Sequence, residues 1–125
     1  GARFAVLDLT RDPLPRADVV LCRDALVHFS LRLGGEALAR IRESGADWLL
    51  ATTFPGLPAN ENVITGGWRP LDLTKPPFTL PPPTESIFEQ SDPAGRLPDK
   101  HLGLWRVEDL PARTPGGWRT GRPGR

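Results

Sequence analysis

The distribution of proline constrains this chain most strongly, because eight of its 15 prolines lie within residues 54–83. Each proline inside a helix costs about 3 kcal/mol, so this stretch cannot form a long helix. A loop of this length in a compact domain is usually either functional or disordered. Its apolar and aromatic side chains predict a packed lid and not a disordered linker. They are Val63, Ile64, Trp68, Leu71, Leu73 and Phe78.

Composition excludes several classes of protein. The 125 residues accommodate one domain, and 38% hydrophobic residues with a formal net charge of +1 exclude a disordered polyelectrolyte. One cysteine excludes an internal disulfide. The apolar runs are far shorter than the ~20 residues of a membrane helix, and the first residues show no secretory signal. We therefore expect a cytoplasmic protein with no membrane contact and no general attraction for nucleic acid.

The last residues differ in composition from the rest of the chain. Residues 111–125 hold four arginines, three prolines and no acidic residue. Such a stretch is typical of a disordered basic tail. We expect this tail to follow one α/β domain that spans residues 1–110.

Three short apolar runs predict strands. Arg3–Leu9 ends at an acid before a turn, and Ala17–Arg23 contains the continuous run VVLC. A continuous apolar run suits a strand that is covered on both faces, as in a parallel sheet. With Asp47–Thr53 as the next strand and a helix between, residues 17–53 predict a βαβ unit with parallel strands.

The helix of this unit is best defined in its second half. Its apolar stripe predicts a helix over Glu36–Ser44, with Ser30 as a possible cap further upstream. Gly34 and Gly35 weaken the first turns by up to ~1 kcal/mol each.

The end of the domain predicts an antiparallel hairpin. Thr84–Glu89 and Leu102–Glu108 are its strands, and Asp99-Lys100-His101 belongs to a polar turn between them. The predicted fold is therefore an α/β protein: a partial Rossmann-like sheet with a βαβ unit, a long proline-rich loop, a C-terminal antiparallel hairpin and a disordered basic tail.

A resemblance to a known family runs along residues 3–110. Asp8 with DPLP after it, then ADVVL and DALVHF, resembles the third and fourth strands of class I S-adenosylmethionine-dependent methyltransferases. Leu38-x-x-Ile41 leading into WLLATTFP is similar to their following helix and fifth strand. The closing hairpin is similar to their antiparallel sixth and seventh strands.

The chain departs from this family at its beginning. The family opens with a strand, a G-x-G-x-G turn and a second strand that ends in an acid, and none of these is present. The family's sheet order is 3-2-1-4-5-7-6, so a chain without strands 1 and 2 leaves Arg3–Leu9 with no neighbour. We expect the C-terminal part of a longer enzyme, marginally stable and inactive or very weak alone.

The resemblance implies a cofactor, S-adenosyl-L-methionine, and the residues that contact it. Asp8 matches the acid that accepts a hydrogen bond from the adenine amino group, and the Leu9 backbone N–H meets the adenine ring. Cys22 and Arg23 match the strand end that lines the methionine part. No metal is needed, and no cluster of residues has metal-ligand spacing.

Other residues match or adjoin the side of the methyl acceptor, an unknown O or N nucleophile on what we expect to be a small molecule. Asp24 and His28 match positions that face the acceptor, and His28 has a reference pKa of ~6.5 that suits a base. Thr53 lies at a strand end, where ligands bind in α/β sheets. Trp68 and Arg69 could clamp the acceptor from the lid.

Structural roles for the same residues remain open. Asp8 could cap the turn that follows it. Asp24 could be the N-cap of a short helical turn, and Arg23 could pair with Asp24 or Asp18. His28 could be a structural histidine, and Cys22 an inert small hydrophobe. Trp68 and Arg69 could pack the long loop onto the sheet.

Two other functions remain open. The chain could be half of another nucleotide-binding α/β enzyme, although the missing glycine-rich turn counts equally against it. It could also be a non-catalytic interaction module, in which Pro70–Pro83 offers a polyproline surface to an aromatic groove. Burial of Trp68 and Phe78 would favour the lid, and their exposure would favour the interaction module.

Overall fold

The computed structural model describes residues 5–112 as a mixed α/β fold with one sheet. Its elements in chain order are β1 (Val19–Cys22), α1 (Leu31–Glu43), β2 (Trp48–Thr53), β3 (Glu85–Gln90) and β4 (Lys100–Arg106). Short 3₁₀ helices cover Leu26–His28 and Val107–Asp109. Within the described range, no helix combines the length and the apolar character that crossing a bilayer requires.

The four strands form a mixed sheet in the order β1-β2-β4-β3. β1 pairs with β2 in parallel, as the βαβ prediction required. β4 is antiparallel to both β2 and β3, which confirms the predicted hairpin. The ends of β1, β2 and β3 therefore meet the start of β4 at one edge of the sheet, which we call the carboxyl edge.

Helix α1 begins at Leu31, whereas the predicted helix begins at Glu36. The Ser30 hydroxyl accepts a hydrogen bond from the Leu33 N–H, which confirms Ser30 as the cap. Gly34 is buried, and a Cβ built on it would lie 3.3 Å from the Phe78 ring. The close approach of an aromatic ring explains why the helix contains a glycine here despite its low helix propensity.

One face of the sheet carries the core. Leu38 and Ile41 of α1 belong to the same fully buried cluster as Leu49 and Ala51 of β2 and Trp105 of β4. Burial of an aliphatic side chain of this kind contributes about 1.5–3 kcal/mol. Helix α1 therefore covers the apolar side chains of the predicted βαβ strands on this face.

The proline-rich segment, residues 54–83, contains neither α-helix nor strand. Leu71, Leu73, Phe78 and Leu80 are nonetheless buried in the core cluster. Ile64, in the first half of the segment, is almost fully exposed. The second half of the segment is therefore packed against the domain, whereas residues near Ile64 project from it.

The opposite face of the sheet is apolar and open. Cross-strand registers place seven apolar side chains on it: Val19, Leu21, Trp48, Leu50, Ile87, Leu102 and Leu104. Leu21 is 61% exposed, and Val19 and Ile87 are exposed to a similar degree. Among residues 5–112, no strand pairs with the outer edge of β1. The prediction that the parallel strands are covered on both faces is therefore wrong for this face of β1, where Val19 and Leu21 are exposed.

The strand predicted at Arg3–Leu9 is wrong over the residues described. Residues 5–8 form no strand, and Val6 is fully exposed. The Asp8 carbonyl accepts the N–H of Arg11 and of Asp12, so a turn begins there. Both edges of β2 are occupied by β1 and β4, so residues 5–9 find no partner strand at the centre of the sheet. Residues 1–4 and the predicted tail from 113 onward lie outside the described residues.

Gly103 provides a test of the packing of β4. A Cβ built there would lie 2.5 and 2.7 Å from atoms of the buried Trp105 ring. The indole N–H of Trp105 donates to the Pro81 carbonyl at 2.7 Å, which restrains the ring. We expect Gly103→Ala to lower the free energy of unfolding by about 1–3 kcal/mol in urea titrations. Ser91→Ala, in an exposed loop, is the control, and equal stability of the two variants would contradict this packing.

Candidate functional site

A cavity of about 250 Å³ opens at the carboxyl edge. Its position follows from the sheet order, because Asp24 follows β1, Phe54 follows β2, and Lys100 begins β4. We call it the edge pocket, and the residues that define it are Asp24, Phe54, Trp68, Gln90, Leu97 and Lys100. Polar side chains and aromatic rings therefore converge where α/β proteins bind ligands.

Asp24 is held in place by two contacts in an uncommon backbone conformation. Its φ of 55° lies in the left-handed region, which aspartate tolerates better than most residues. Its backbone N–H donates to the Thr52 hydroxyl at 2.7 Å, and its carboxylate lies 2.6 Å from the Lys100 ammonium nitrogen. Ala25, and not Asp24, is the N-cap of the 3₁₀ helix, and no side chain caps it. The N-cap alternative for Asp24 is therefore wrong, and its carboxylate belongs to the pocket.

Two aromatic rings form the apolar wall of the pocket. Phe54 and Trp68 meet edge to face, with centroids 6.1 Å apart and planes at 89°. Phe54 is buried, whereas Trp68 is 47% exposed. The proline-rich segment thus contributes both rings to the pocket, and of the two the Trp68 indole is accessible.

The loop between β3 and β4 forms the remaining wall and is ordered by Asp92. Its carboxylate accepts backbone N–H groups from Ala94, Arg96 and Leu97. These hydrogen bonds, the one from Ala94 first, hold the pKa of Asp92 below its ordinary value of 3.8. The loop backbone therefore positions Leu97 at the pocket.

A second ion pair lies beside the pocket. The Arg23 guanidinium, after β1, lies 2.8 Å from the largely buried carboxylate of Glu89 in β3. This hydrogen-bonded pair raises the pKa of Arg23. Neither Asp24 nor Asp18 is the hydrogen-bond partner of Arg23, although Asp24 adds a weaker electrostatic attraction. Arg23 therefore ties the ends of the two outer strands together.

His28 lies on the exposed side of the 3₁₀ helix and does not line the edge pocket. Its Nδ1 is 2.8 Å from the Gly67 carbonyl oxygen. A carbonyl only accepts hydrogen bonds, so Nδ1 carries the proton and Nε2 is left as an acceptor. The histidine thus anchors the proline-rich segment while it keeps one basic nitrogen.

Thr53 and Arg69 are buried and bind the proline-rich segment to the domain. The Thr53 hydroxyl accepts the Leu73 N–H at 3.0 Å. The Arg69 guanidinium donates to the carbonyls of Glu61, Leu26 and Val27, and burial lowers its pKa. Neither side chain lines the edge pocket, so their contacts match the packing alternative for Arg69 and not an acceptor clamp.

Asp8 and Leu9 lie apart from the residues that line the edge pocket. One oxygen of the Asp8 carboxylate accepts both the hydroxyl and the backbone N–H of Thr10. These two hydrogen bonds lower the pKa of Asp8. Leu9 packs against the core. Asp8 thus caps a turn, and its second oxygen forms a long, exposed ion pair with Arg11 at 4.0 Å.

Cys22 ends β1 with its side chain in the core. Burial raises the pKa of its thiol to about 11, so the thiol stays protonated at neutral pH. A protonated, buried thiol is not a nucleophile. The side chain matches the inert alternative, and only the backbone at this strand end is available to a ligand.

The sequence prediction missed Lys100, Gln90 and Leu97 as pocket residues. Lys100 and His101 belong to β4, so the polar turn predicted at Asp99-Lys100-His101 is wrong for those two. An antiparallel strand begins at the edge where its parallel neighbours end. The predicted hairpin was therefore sufficient to place the first residue of β4 at the carboxyl edge.

Comparisons with protein-family models, curated proteins and solved structures found no match. Among residues 5–112, no group of three or more histidine, cysteine or acidic residues is arranged to hold a metal ion.

The Asp92 loop gives a pH dependence that can be measured. Because the pKa of Asp92 is lowered on folding, its stabilisation is complete above its ordinary value of 3.8 and is lost as pH falls through the lower, folded value. We expect Asp92→Ala to reduce stability in urea titrations at pH 7, with the difference from the unchanged protein shrinking below about pH 4. A difference that stays constant down to pH 2 would contradict the role of the carboxylate.

Proposed function

We propose that this chain is the C-terminal part of an S-adenosylmethionine-dependent methyltransferase that acts on an O or N nucleophile of a small molecule. The observation that supports the proposal is the strand order β1-β2-β4-β3 with an antiparallel β4. When β1 to β4 are aligned with the fourth to seventh strands of that family, the resemblance requires the order 4-5-7-6. The chain has this order.

The position of β4 makes the order informative. Strands that follow each other in the chain are neighbours in about two-thirds of cases, so β3 would ordinarily lie beside β2. Here β4 passes between them and pairs with both. A Rossmann-like sheet that closes in this way is the finer description we propose for the fold.

The open side of β1 supports a longer enzyme. Among residues 5–112, no strand pairs with its outer edge, and Val19 and Leu21 expose apolar surface beside it. An edge of this kind is usually protected by charge, by proline or by a covering segment. In the proposed enzyme, a preceding strand pairs with β1, and further elements cover the open face of the sheet.

The residues that the resemblance assigns to the cofactor fit it in part. The second carboxylate oxygen of Asp8 has only a long, exposed ion pair with Arg11 among the contacts of the described residues, so it can accept a hydrogen bond from an adenine amino group. The side chains of Cys22 and Arg23 are engaged with the core and with Glu89, so we assign cofactor contact there to the backbone. When bound, S-adenosylmethionine supplies the methyl group of a sulfonium, which an acceptor attacks in line.

The acceptor side belongs to the edge pocket in this proposal. Asp24 lines the pocket, and its carboxylate can take a proton from the acceptor. His28 keeps a basic Nε2 but lies outside the pocket lining, so we propose Asp24 as the base. Trp68 then holds the acceptor by its ring. Of the two residues that decide between a lid and an exposed polyproline ligand, Phe78 is buried and Trp68 is 47% exposed. Because Leu80 within the segment is buried as well, we propose the lid.

Calorimetry with S-adenosylhomocysteine tests the proposal. The protein to be used is the polypeptide extended upstream in the same reading frame, in which we expect a strand, a G-x-G-x-G turn and an acidic strand end. We expect saturable binding that Asp8→Ala weakens about tenfold, because a hydrogen bond to a charged group is lost. Glu108→Ala, an exposed change beyond the other end of β4, is the control. No heat at millimolar ligand, or an upstream sequence without these elements, would overturn the proposal.

A further inference from the structure

We infer that the edge pocket binds a small phenol, with the phenolic hydroxyl between Asp24 and Lys100 and the ring against Trp68. Binding of the phenol stands on the pocket alone. Its role as the methyl acceptor rests on the proposed function.

The ion pair in the pocket selects the polar group of the ligand. The Lys100 side chain is only 13% exposed, and its ammonium nitrogen lies 2.6 Å from a carboxylate oxygen of Asp24. A partly buried ammonium favours an oxygen that accepts its remaining N–H bonds, and a carboxylate favours a donor. A hydroxyl does both. A ligand carboxylate would meet the charge of Asp24, and a ligand ammonium would meet that of Lys100, so both are disfavoured.

The walls of the pocket select an aromatic body. Trp68 and Phe54 already meet edge to face, and a third ring extends such a pair with favourable geometry. Leu97 and two prolines complete the apolar lining. An apolar cavity of about 150 Å³ admits benzene, so about 250 Å³ admits a substituted phenol.

The other polar side chains leave room for this hydroxyl. The Asp92 carboxylate already accepts three backbone N–H groups and does not compete for it. Gln90 is exposed at the rim and offers an amide to a second substituent on the ring.

The transfer step follows from this placement. The hydroxyl proton passes to the Asp24 carboxylate, and the Lys100 ammonium stabilises the phenolate that forms. The phenolate oxygen attacks the methyl carbon, the carbon–sulfur bond breaks, and its electron pair stays on sulfur as the thioether of S-adenosylhomocysteine. The proton on Asp24 is then released to water, so the products are an aryl methyl ether, the thioether and one proton.

A binding experiment on the 125-residue chain tests the pocket without the cofactor. The probe is 4-nitrophenol, whose ionised form absorbs visible light, and the matched probes are nitrobenzene, which lacks the hydroxyl, and 4-nitrocyclohexanol, which lacks the aromatic ring. Two-dimensional NMR of the indole N–H groups reports contact with Trp68. We expect saturable binding that shifts the Trp68 signal and at least tenfold weaker binding of either matched probe.

Variants separate the residues. Lys100→Met should weaken the binding of 4-nitrophenol about tenfold, because the charged donor is removed. Lys100→Arg should retain most of the affinity, which controls for folding. Lys75→Met alters the other lysine of the chain and should leave the binding of 4-nitrophenol unchanged.

The failures of the two proposals are distinguishable. No binding of 4-nitrophenol at millimolar concentration, equal binding of nitrobenzene, or an unchanged Lys100→Met variant would each overturn the phenol site. Each of these results leaves the S-adenosylhomocysteine titration of the extended protein as an independent measurement of the methyltransferase proposal.

Discussion

The position of β2 between a parallel and an antiparallel neighbour is the constraint on which the rest of the structure depends. Because β1 runs parallel to β2, Asp24 emerges beside the end of β2. Because β4 runs antiparallel to it, the first residue of β4, Lys100, lies at the same edge. The ion pair between Asp24 and Lys100 is thus a consequence of strand direction, and both residues line the edge pocket.

The proline-rich segment completes the site because it is tied to the domain at several points. Arg69 is bonded to the carbonyls before α1, and Thr53 accepts an N–H from Leu73. Asn62 accepts the first N–H of α1, so the segment also caps the helix. Without secondary structure of its own, the segment is fixed by these side-chain hydrogen bonds and by the burial of Phe78, and it holds Trp68 at the pocket.

The sequence predicted what local patterns determine. The continuous run VVLC, the Ser30 cap and the apolar stripe of α1 are local signals, and the βαβ unit and hairpin were correct. The strand predicted at Arg3–Leu9 is wrong over the described residues, because a strand needs a neighbouring strand to pair with and the local sequence does not show whether one is present. Asp8 favours a turn instead. Lys100 was missed because its role depends on an ion pair across 76 residues of chain. The sequence predicted only that Gly34 weakens the helix, because its close packing against Phe78 is a non-local contact.

The strand order is the claim on which both the proposed function and the phenol site rest, and NMR cross-strand contacts measure it most directly. Leu104 should show contacts to Leu50 on one side and to Glu85 on the other, and Lys100 should show contacts to Asp24. Direct contacts between β2 and β3, with β4 on the outside, would contradict it. That result would separate Lys100 from Asp24 and remove the strand order that supports a methyltransferase.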